Sequence, residues 1–399
     1  MFLPLAHDAR LCADHWDSKH GTVMESHLTA EISASAVRTN LQLLRKRLAA
    51  GTKLCAVVKA DCYGHGLETL LGVISEGADC LAVATAEEAV RLRDLGYERP
   101  ILMLFGVSAC AGGKATKDAL DELIARRVTL TVASPQEAGR VAESAGRVRA
   151  DASVHVKIDS GMTRGGAAAD AAAALVQAIR RERAVKLTGM YTHFATAEET
   201  DKTWACTQLE RFLSAVEACG GRAGLTLHAA NSGATIDLPQ SHLDMVRPGI
   251  AVYGYQPSDQ MHSRLPLRPA LRVWGRLMHV KDVPAGSRCG YGLTYTFERP
   301  GRIGLAPIGY ADGYFRSLSN RSTMRVGGKD VPVRGRVSMD QVILDLTDVP
   351  QAQVGEPVEI VSSDPAAPHS VENLARLCGT IPYEVTSRLG PRVRRVLVD

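Results

Sequence analysis

The chain has 399 residues, enough for two or three domains at about 150 residues each, and its 45% hydrophobic and 23% charged residues are the balance of a soluble globular protein with a sizeable core. A formal net charge of +4 is small for this length and argues against a nucleic-acid partner, and no apolar run is long enough to span a bilayer. The nine cysteines are dispersed without a Cys-x-x-Cys pair, and the twelve histidines show no metal-ligand spacing, so no metal is expected and a reducing, cytoplasmic location is.

Residues 1–24 read as an extension. Their apolar start is short and soon interrupted by acidic residues, so a secretory signal is not expected, and Met24 is an alternative initiator. From there strand-like and helix-like segments alternate. Eight short, almost continuously apolar runs, Leu54–Ala60, Cys80–Thr85, Ile101–Phe105, Val128–Ser134, Val154–Asp159, Leu187–Phe194, Leu225–Ser232 and Met245–Gly254, predict parallel strands buried on both faces. Helical patterns accompany them. Ser33 caps a segment in which Val37, Leu41, Leu44 and Leu48 recur, Thr85 precedes two glutamates, and Ser134 precedes a proline at the first helical position. Longer helices are predicted over Asp170–Val185 and Asp201–Gly221. The alternation predicts an α/β fold, a (β/α)8 barrel over residues 25–262, with a doubly wound sheet as the alternative.

The segment QPSDQMHSRLPLRP reads as a linker. Beyond it the β-formers and turns of residues 263–399 predict a mostly-β domain, with a hairpin turn at GGKD and a short helix at Ser370–Leu377. Arg388, Arg392, Arg394 and Arg395 read as a solvated or interface face.

The segment AVVKADCYGHG, residues 56–66, places Lys59 at the end of a buried run, before a tight turn and a helix. In a barrel, strand ends carry catalytic side chains. A lysine entering an apolar mouth loses stability as the ammonium ion, and its neutral amine can condense with an aldehyde. The same position also suits a lysine that snorkels to solvent. KADCYGHG resembles the cofactor-lysine signature of alanine racemases, KA(D/N)AYGHG, and the resemblance runs from about residue 25 to the end. KIDSGMTRGG, YTHFATAEE, HAANSGA, VRPGIAVYG, GYGLTYT, GYADGYFR, GRVSMDQ and IPYEV follow in the family's order and spacing.

The resemblance implies that Lys59 holds pyridoxal 5'-phosphate as a Schiff base. It assigns Ser232, Gly249 and Ile250 to the phosphate, with hydroxyls from Tyr63 and Tyr383, and Leu104, His193 and Asn231 to the cofactor's surroundings. Arg164 would meet the phenolic oxygen and the substrate carboxylate, and Arg247 the pyridine nitrogen. Lys157 matches a position that many members carbamylate. Inverting a chiral carbon needs a proton acceptor on each face, and Tyr291 matches the family's second base, contributed with the substrate-binding Met339 by the partner of a homodimer. Tyr310, Arg316 and Asp340 match the entrance. The implied activity is alanine racemisation, supplying D-alanine for peptidoglycan. A broader amino-acid racemase, a barrel decarboxylase and a noncatalytic cofactor carrier are alternatives. Against the decarboxylase stands Arg247, where an acidic residue is needed, and against the carrier stands the second domain. Cys62 and Ser160 replace the commoner alanine and threonine, which leaves substrate breadth open.

Overall fold

The protein's structure, a computed structural model, describes residues 27–110 and 114–399; the expected extension over 1–24 lies outside them. Its first strand, β1 (Leu28–Ser33), is followed by a helix over Ala34–Lys46 whose start is capped by the Ser33 hydroxyl accepting from Ala36 N. Then come β2 (Lys53–Val57), β3 (Cys80–Val83), β4 (Ile101–Gly106), β5 (Val128–Val132), β6 (Ala152–Asp159), the two-residue β7 (Ala167–Ala168), β8 (Val185–Tyr191), β9 (Thr226–His228) and β10 (Met245–Val246). Each of the eight apolar runs overlaps one of these strands. Every pairing among them is parallel, in the order β5-β4-β3-β2-β10-β9-β8-β6, and β5 also pairs with β6, so the sheet closes on itself as an eight-stranded barrel with β7 appended. Closure leaves those strands no free edge, and their side chains fill the interior as a packed core.

Two of the helices that follow the strands begin as the sequence indicated, while those predicted over Asp170–Val185 and Asp201–Gly221 are shorter, Ala172–Arg181 and Thr203–Ala218. Thr85 and Glu88 form a reciprocal capping box, and the Ser134 hydroxyl accepts from Glu137 N ahead of Pro135. The strand β10 is followed only by a single 3-10 turn, Ile250–Tyr253. The helix Ala34–Lys46 packs against that turn and against the helix Leu67–Gly77, so the helix filling this place in the outer ring precedes the barrel's first strand.

The second sheet has nine strands and is antiparallel apart from one pairing. It includes β1, although the sequence expectation gave residues from 25 onward to the barrel. β1 pairs antiparallel with Leu271–Arg276 and parallel with Arg394–Val398. Its burial alternates, one face in and one face out, which suits a half-covered antiparallel sheet and not a barrel strand buried on both sides. Gly327 and Gly328 turn the hairpin between Thr323–Val326 and Lys329–Arg334, as GGKD predicts. A small separate hairpin, Arg288–Cys289 with Tyr295–Thr296, carries Tyr291. No helix among the described residues is long and apolar enough to cross a membrane.

The fully buried Asn40 ties the first helix to the segment between the two parts. Its amide donates to Val252 O (3.2 Å) and Arg268 O (2.9 Å), and its oxygen accepts from Arg268 N (2.8 Å). Asn40→Ala strands these backbone groups and is expected to cost about 1–3 kcal/mol, read as a lower denaturant midpoint. An unchanged midpoint would show that the tie is dispensable.

Candidate active site

Lys59 stands two residues beyond β2, at the strands' C-terminal end. The next four residues, Ala60, Asp61, Cys62 and Tyr63, all have φ between 51° and 55°, a left-handed turn of non-glycine residues. Such a conformation costs about 1–2 kcal/mol per residue, so something must hold it. The Glu88 carboxylate accepts from Ala60 N (2.6 Å), Asp61 accepts from Leu67 N (2.6 Å), and Arg395 Nε donates to Gly64 O (3.1 Å). Gly64 itself, at φ 82°, runs so close to the second domain that a Cβ there would lie 2.0 Å from Thr386 O. The turn sends Lys59 into a cavity of about 880 Å³ that also contains Tyr63, Leu104, Lys157, Arg164, His193, Asn231, Ser232, Arg247, Gly249 and Tyr383. Eleven residues singled out along the sequence thus converge, counting Lys59. Ile250, buried directly after Gly249, is adjacent to the wall.

Arg247, 4% exposed, forms the floor beyond β10. It donates to Thr192 O (2.8 Å), Ala229 O (3.0 Å) and His228 Nδ1 (2.8 Å), with His193 Nδ1 at 3.4 Å. A guanidinium can only donate, so His228 Nδ1 accepts and its proton resides on Nε2, which donates to His155 Nδ1 at 2.8 Å. His228 stacks on Tyr191 at 4.7 Å, and Tyr191 Oη meets Thr131 Oγ1 at 2.9 Å. Gly189 makes room for this chain, since a Cβ there would meet His155 Nε2 at 2.7 Å. Burial, reinforced by the Arg247 charge, pushes His155 down to about 3 and His228 well below its ordinary range, so both rings are neutral. Burial also brings Arg247 down to about 10, which leaves it cationic at neutral pH. No role for His155, His228, Tyr191 or Thr131 is legible in the sequence; each lies within an almost continuously apolar run, and nothing local to that run says what it touches.

Arg164 is set by Asp159. The Asp159 carboxylate accepts from the backbone N–H of Gly161, Met162, Thr163 and Arg164 at 2.9–3.1 Å. Partial burial opposes the charge, but these four donors outweigh it and hold the carboxyl below its usual range. The Lys59 ammonium is disfavoured first by burial and then by Arg164, while Glu88 opposes both. Lys157 is lowered by burial, then by Arg164 and Arg247. Four basic side chains and three carboxylates line the cavity, but Glu137 accepts from Ser108 N and Ala133 N and Glu384 is engaged by Arg388 and Thr380, so the balance favours an anionic occupant.

The opposite end offers neutral donors. Ser232 Oγ accepts from Gly249 N (2.8 Å) and Ala251 N (3.4 Å), so what it has left to offer is its proton. Gly249 lies under Tyr63, and a Cβ there would come within 2.3 Å of Tyr63 Oη. Asn231 caps the helix Ser232–Asp237 by accepting from Ala234 N. Tyr383 Oη donates to Glu198 at 2.8 Å.

Five residues named along the sequence stay outside the cavity. Tyr291 is 70% exposed at the tip of its hairpin, Met339 is 51% exposed, and Tyr310, Arg316 and Asp340 are exposed as well. Tyr310 N donates to Ser338 O and Ala311 N to Met339 O, while Arg392 bridges Asp312 and Asp340, so Tyr310, Met339 and Asp340 lie together on one face of the second domain.

Residues 32–257 match the family described as alanine racemase, N-terminal domain, and residues 270–397 match alanine racemase, C-terminal domain. The chain belongs to the alanine racemase family. It is 40% identical over 374 residues to the alanine racemase of Desulfovibrio desulfuricans (93% of this chain, 98% of that one). With that of Syntrophobacter fumaroxidans it is 39% identical over 368 residues (92% and 96%). The crystal structure of alanine racemase from the D-cycloserine-producing Streptomyces lavendulae aligns with a TM-score of 0.86 at 34% identity, over 94% of this chain and 98% of that one. The Bacillus anthracis alanine racemase with bound L-Ala-P aligns at 0.85 and 29%, over 95% and 96%. The barrel and the β-rich second domain are thus the fold of the alanine racemase family.

Gly249→Ala is expected to displace the Tyr63 hydroxyl and weaken binding of inorganic phosphate about tenfold or more, or about 1.4 kcal/mol. Isothermal titration checks it, and wild-type affinity in the variant would show that the close approach plays no part in binding an anion.

Proposed function

We propose that the chain interconverts L-alanine and D-alanine with pyridoxal phosphate as cofactor, working as a homodimer in the cytoplasm and supplying D-alanine for peptidoglycan. The observation that carries this reading is the meeting, in one cavity of about 880 Å³, of an amine held toward its neutral form with a hydroxyl-and-amide cradle and a buried arginine. The volume suits a cofactor together with a small amino acid. The cradle fits a phosphate: Ser232 has a proton left to donate, and the space beneath Tyr63 is one that any side chain at Gly249 would fill.

When bound, pyridoxal phosphate supplies an electron-accepting ring that acidifies the α-proton of an attached amino acid. Lys59 would hold its aldehyde carbon. Ser232, Gly249, Ile250, Tyr63 and Tyr383 would hold the phosphate, and Leu104, His193 and Asn231 would bound the ring. Arg247 would sit at the ring nitrogen, where its fixed positive charge opposes protonation and favours prompt return of the proton to the α-carbon. Arg164, oriented by Asp159, would receive the phenolic oxygen and the substrate carboxylate. Lys157, whose ammonium form is penalised, suits carbamylation, in which its amine adds carbon dioxide and loses a proton. Lys59 Nζ would take or give the proton on one face.

The other face needs a second group. The exposed Tyr291 and Met339 are suited to entering the cavity of a second copy, with Tyr310, Arg316 and Asp340 around the entrance. The dimer would then have two composite sites.

Circular dichroism of L-alanine, L-serine and L-lysine incubated with holoenzyme tests the activity and its breadth. Loss of the alanine signal alone supports the narrow reading, loss of all three the broader racemase, and loss of none rejects racemisation. Borohydride reduction and peptide mapping are expected to tag Lys59; a tag on another lysine would overturn the site assignment. Tyr291→Phe is expected to lower racemisation about 10²–10⁴-fold while keeping cofactor. Mixing Lys59→Ala with Tyr291→Phe subunits is expected to restore one intact site per hybrid dimer. Demonstrated subunit exchange with no return of activity would reject the shared site.

A further inference from the structure

Glu198 is a carboxylate where the cavity is otherwise built to receive an anion. It lies in the wall with Ser232, Gly249, Tyr63 and Tyr383. Its stem packs on the start of the helix Ser232–Asp237, where a Cβ at Gly233 would come within 2.8 Å of Glu198 Cγ. Among the described residues its side chain has one hydrogen-bond partner, Tyr383, whose Oη donates to it at 2.8 Å.

A phenol has a single proton, and an ionised carboxylate and a phosphate dianion can only accept. Tyr383 therefore cannot donate to both. The conflict disappears if Glu198 carries a proton, because it can then donate to Tyr383 Oη. We infer that Glu198 is a positioning residue for the phosphate end of the cavity: in the loaded site it is protonated and donates to Tyr383, which turns its own O–H to the phosphate. The inference rests on the cofactor reading above.

The surroundings favour that proton. Burial raises the Glu198 carboxyl above its ordinary range and Glu199 adds to the shift, against the opposing effects of the Tyr383 hydrogen bond and Lys202. Lys202 is committed elsewhere, to Asp237 at 2.9 Å and to the carbonyls of Ala197 and Glu199. From the turn after Lys59 the facing group is the neutral Tyr63, and on the helix Pro382–Ser387 Glu384 is engaged by Arg388 and Thr380. A dianion brought against this carboxyl would raise its proton affinity further, so cofactor binding takes up a proton.

The test counts protons. Apoenzyme is titrated with pyridoxal phosphate at pH 7.5 in weakly buffered solution with a pH indicator, where the free phosphate, with its second pKa near about 6, is already dianionic. Wild type is expected to take up about one proton more per site than Glu198→Gln, whose amide donates to Tyr383 without one. Pyridoxal, which lacks the phosphate, is expected to remove that excess in wild type. Equal counts for the two proteins, both carrying the borohydride tag at Lys59, would overturn the inference and leave the cofactor reading standing. If Glu198→Gln takes up no cofactor, the wild-type comparison of pyridoxal phosphate with pyridoxal decides, and equal uptake overturns the inference. Failure of wild type itself to bind pyridoxal phosphate would overturn the cofactor reading, and this inference with it.

Discussion

At Gly64 the backbone of the barrel touches the backbone of the second domain, with no room for even a methyl group between it and the Thr386 carbonyl. Much of the site hangs on that contact. On one side it braces the left-handed turn that aims Lys59, and on the other it fixes the short helix Pro382–Ser387 that brings Tyr383 to the cavity. Arg395 reinforces the join, bonding Gly64 O from one side and the carbonyls of Leu389, Gly390 and Val393 from the other. Four residues in an unfavourable backbone conformation persist only when their surroundings over-determine them, and here the surroundings come from both domains. The barrel alone would hold the amine but not one of the two tyrosines facing the anion end.

A second constraint lies beneath the ring of cations. A buried guanidinium is tolerable only if its donors are satisfied, and Arg247 has two carbonyls and a histidine to satisfy them. Because an arginine never accepts, its choice of partner propagates: it fixes the proton on His228, which fixes the acceptor nitrogen of His155. The interior polar chain thus has a single arrangement, which keeps the floor of the cavity rigid where a loosely paired set of histidines would not.

What the sequence made legible follows the range of the interactions involved. The barrel strands stand out because burial on both faces writes a continuous apolar run into each one. Ser33, Thr85 and Ser134 are readable as caps because a cap bonds within three residues of itself. The residues around Lys59 were found through the resemblance, since no local rule says that Arg164, Arg247 and Tyr383 share a cavity. Glu88 shows where local reading stops: it is visible as a first-turn glutamate, but its bond to Ala60 N crosses from one βα unit to another. Glu198, His155 and β1 were assigned no such role for the same reason, because each takes its meaning from a partner tens or hundreds of residues away.

The parallel pairing of Leu28–Ser33 with Arg394–Val398 joins segments about as far apart in the chain as the described residues allow, and Ser33 Oγ even donates to the Asp399 carboxylate. Contacts of that separation form late, because the loop they close must already be ordered or its entropy surrendered. During synthesis the barrel strands are complete once residue 246 has emerged, whereas one edge of β1 stays unpaired until Arg394–Val398 has emerged. Since the same stretch supplies Arg395, the turn around Lys59 lacks one of its braces until residue 395 has emerged, and a nascent chain released before that point would have a barrel without a finished site.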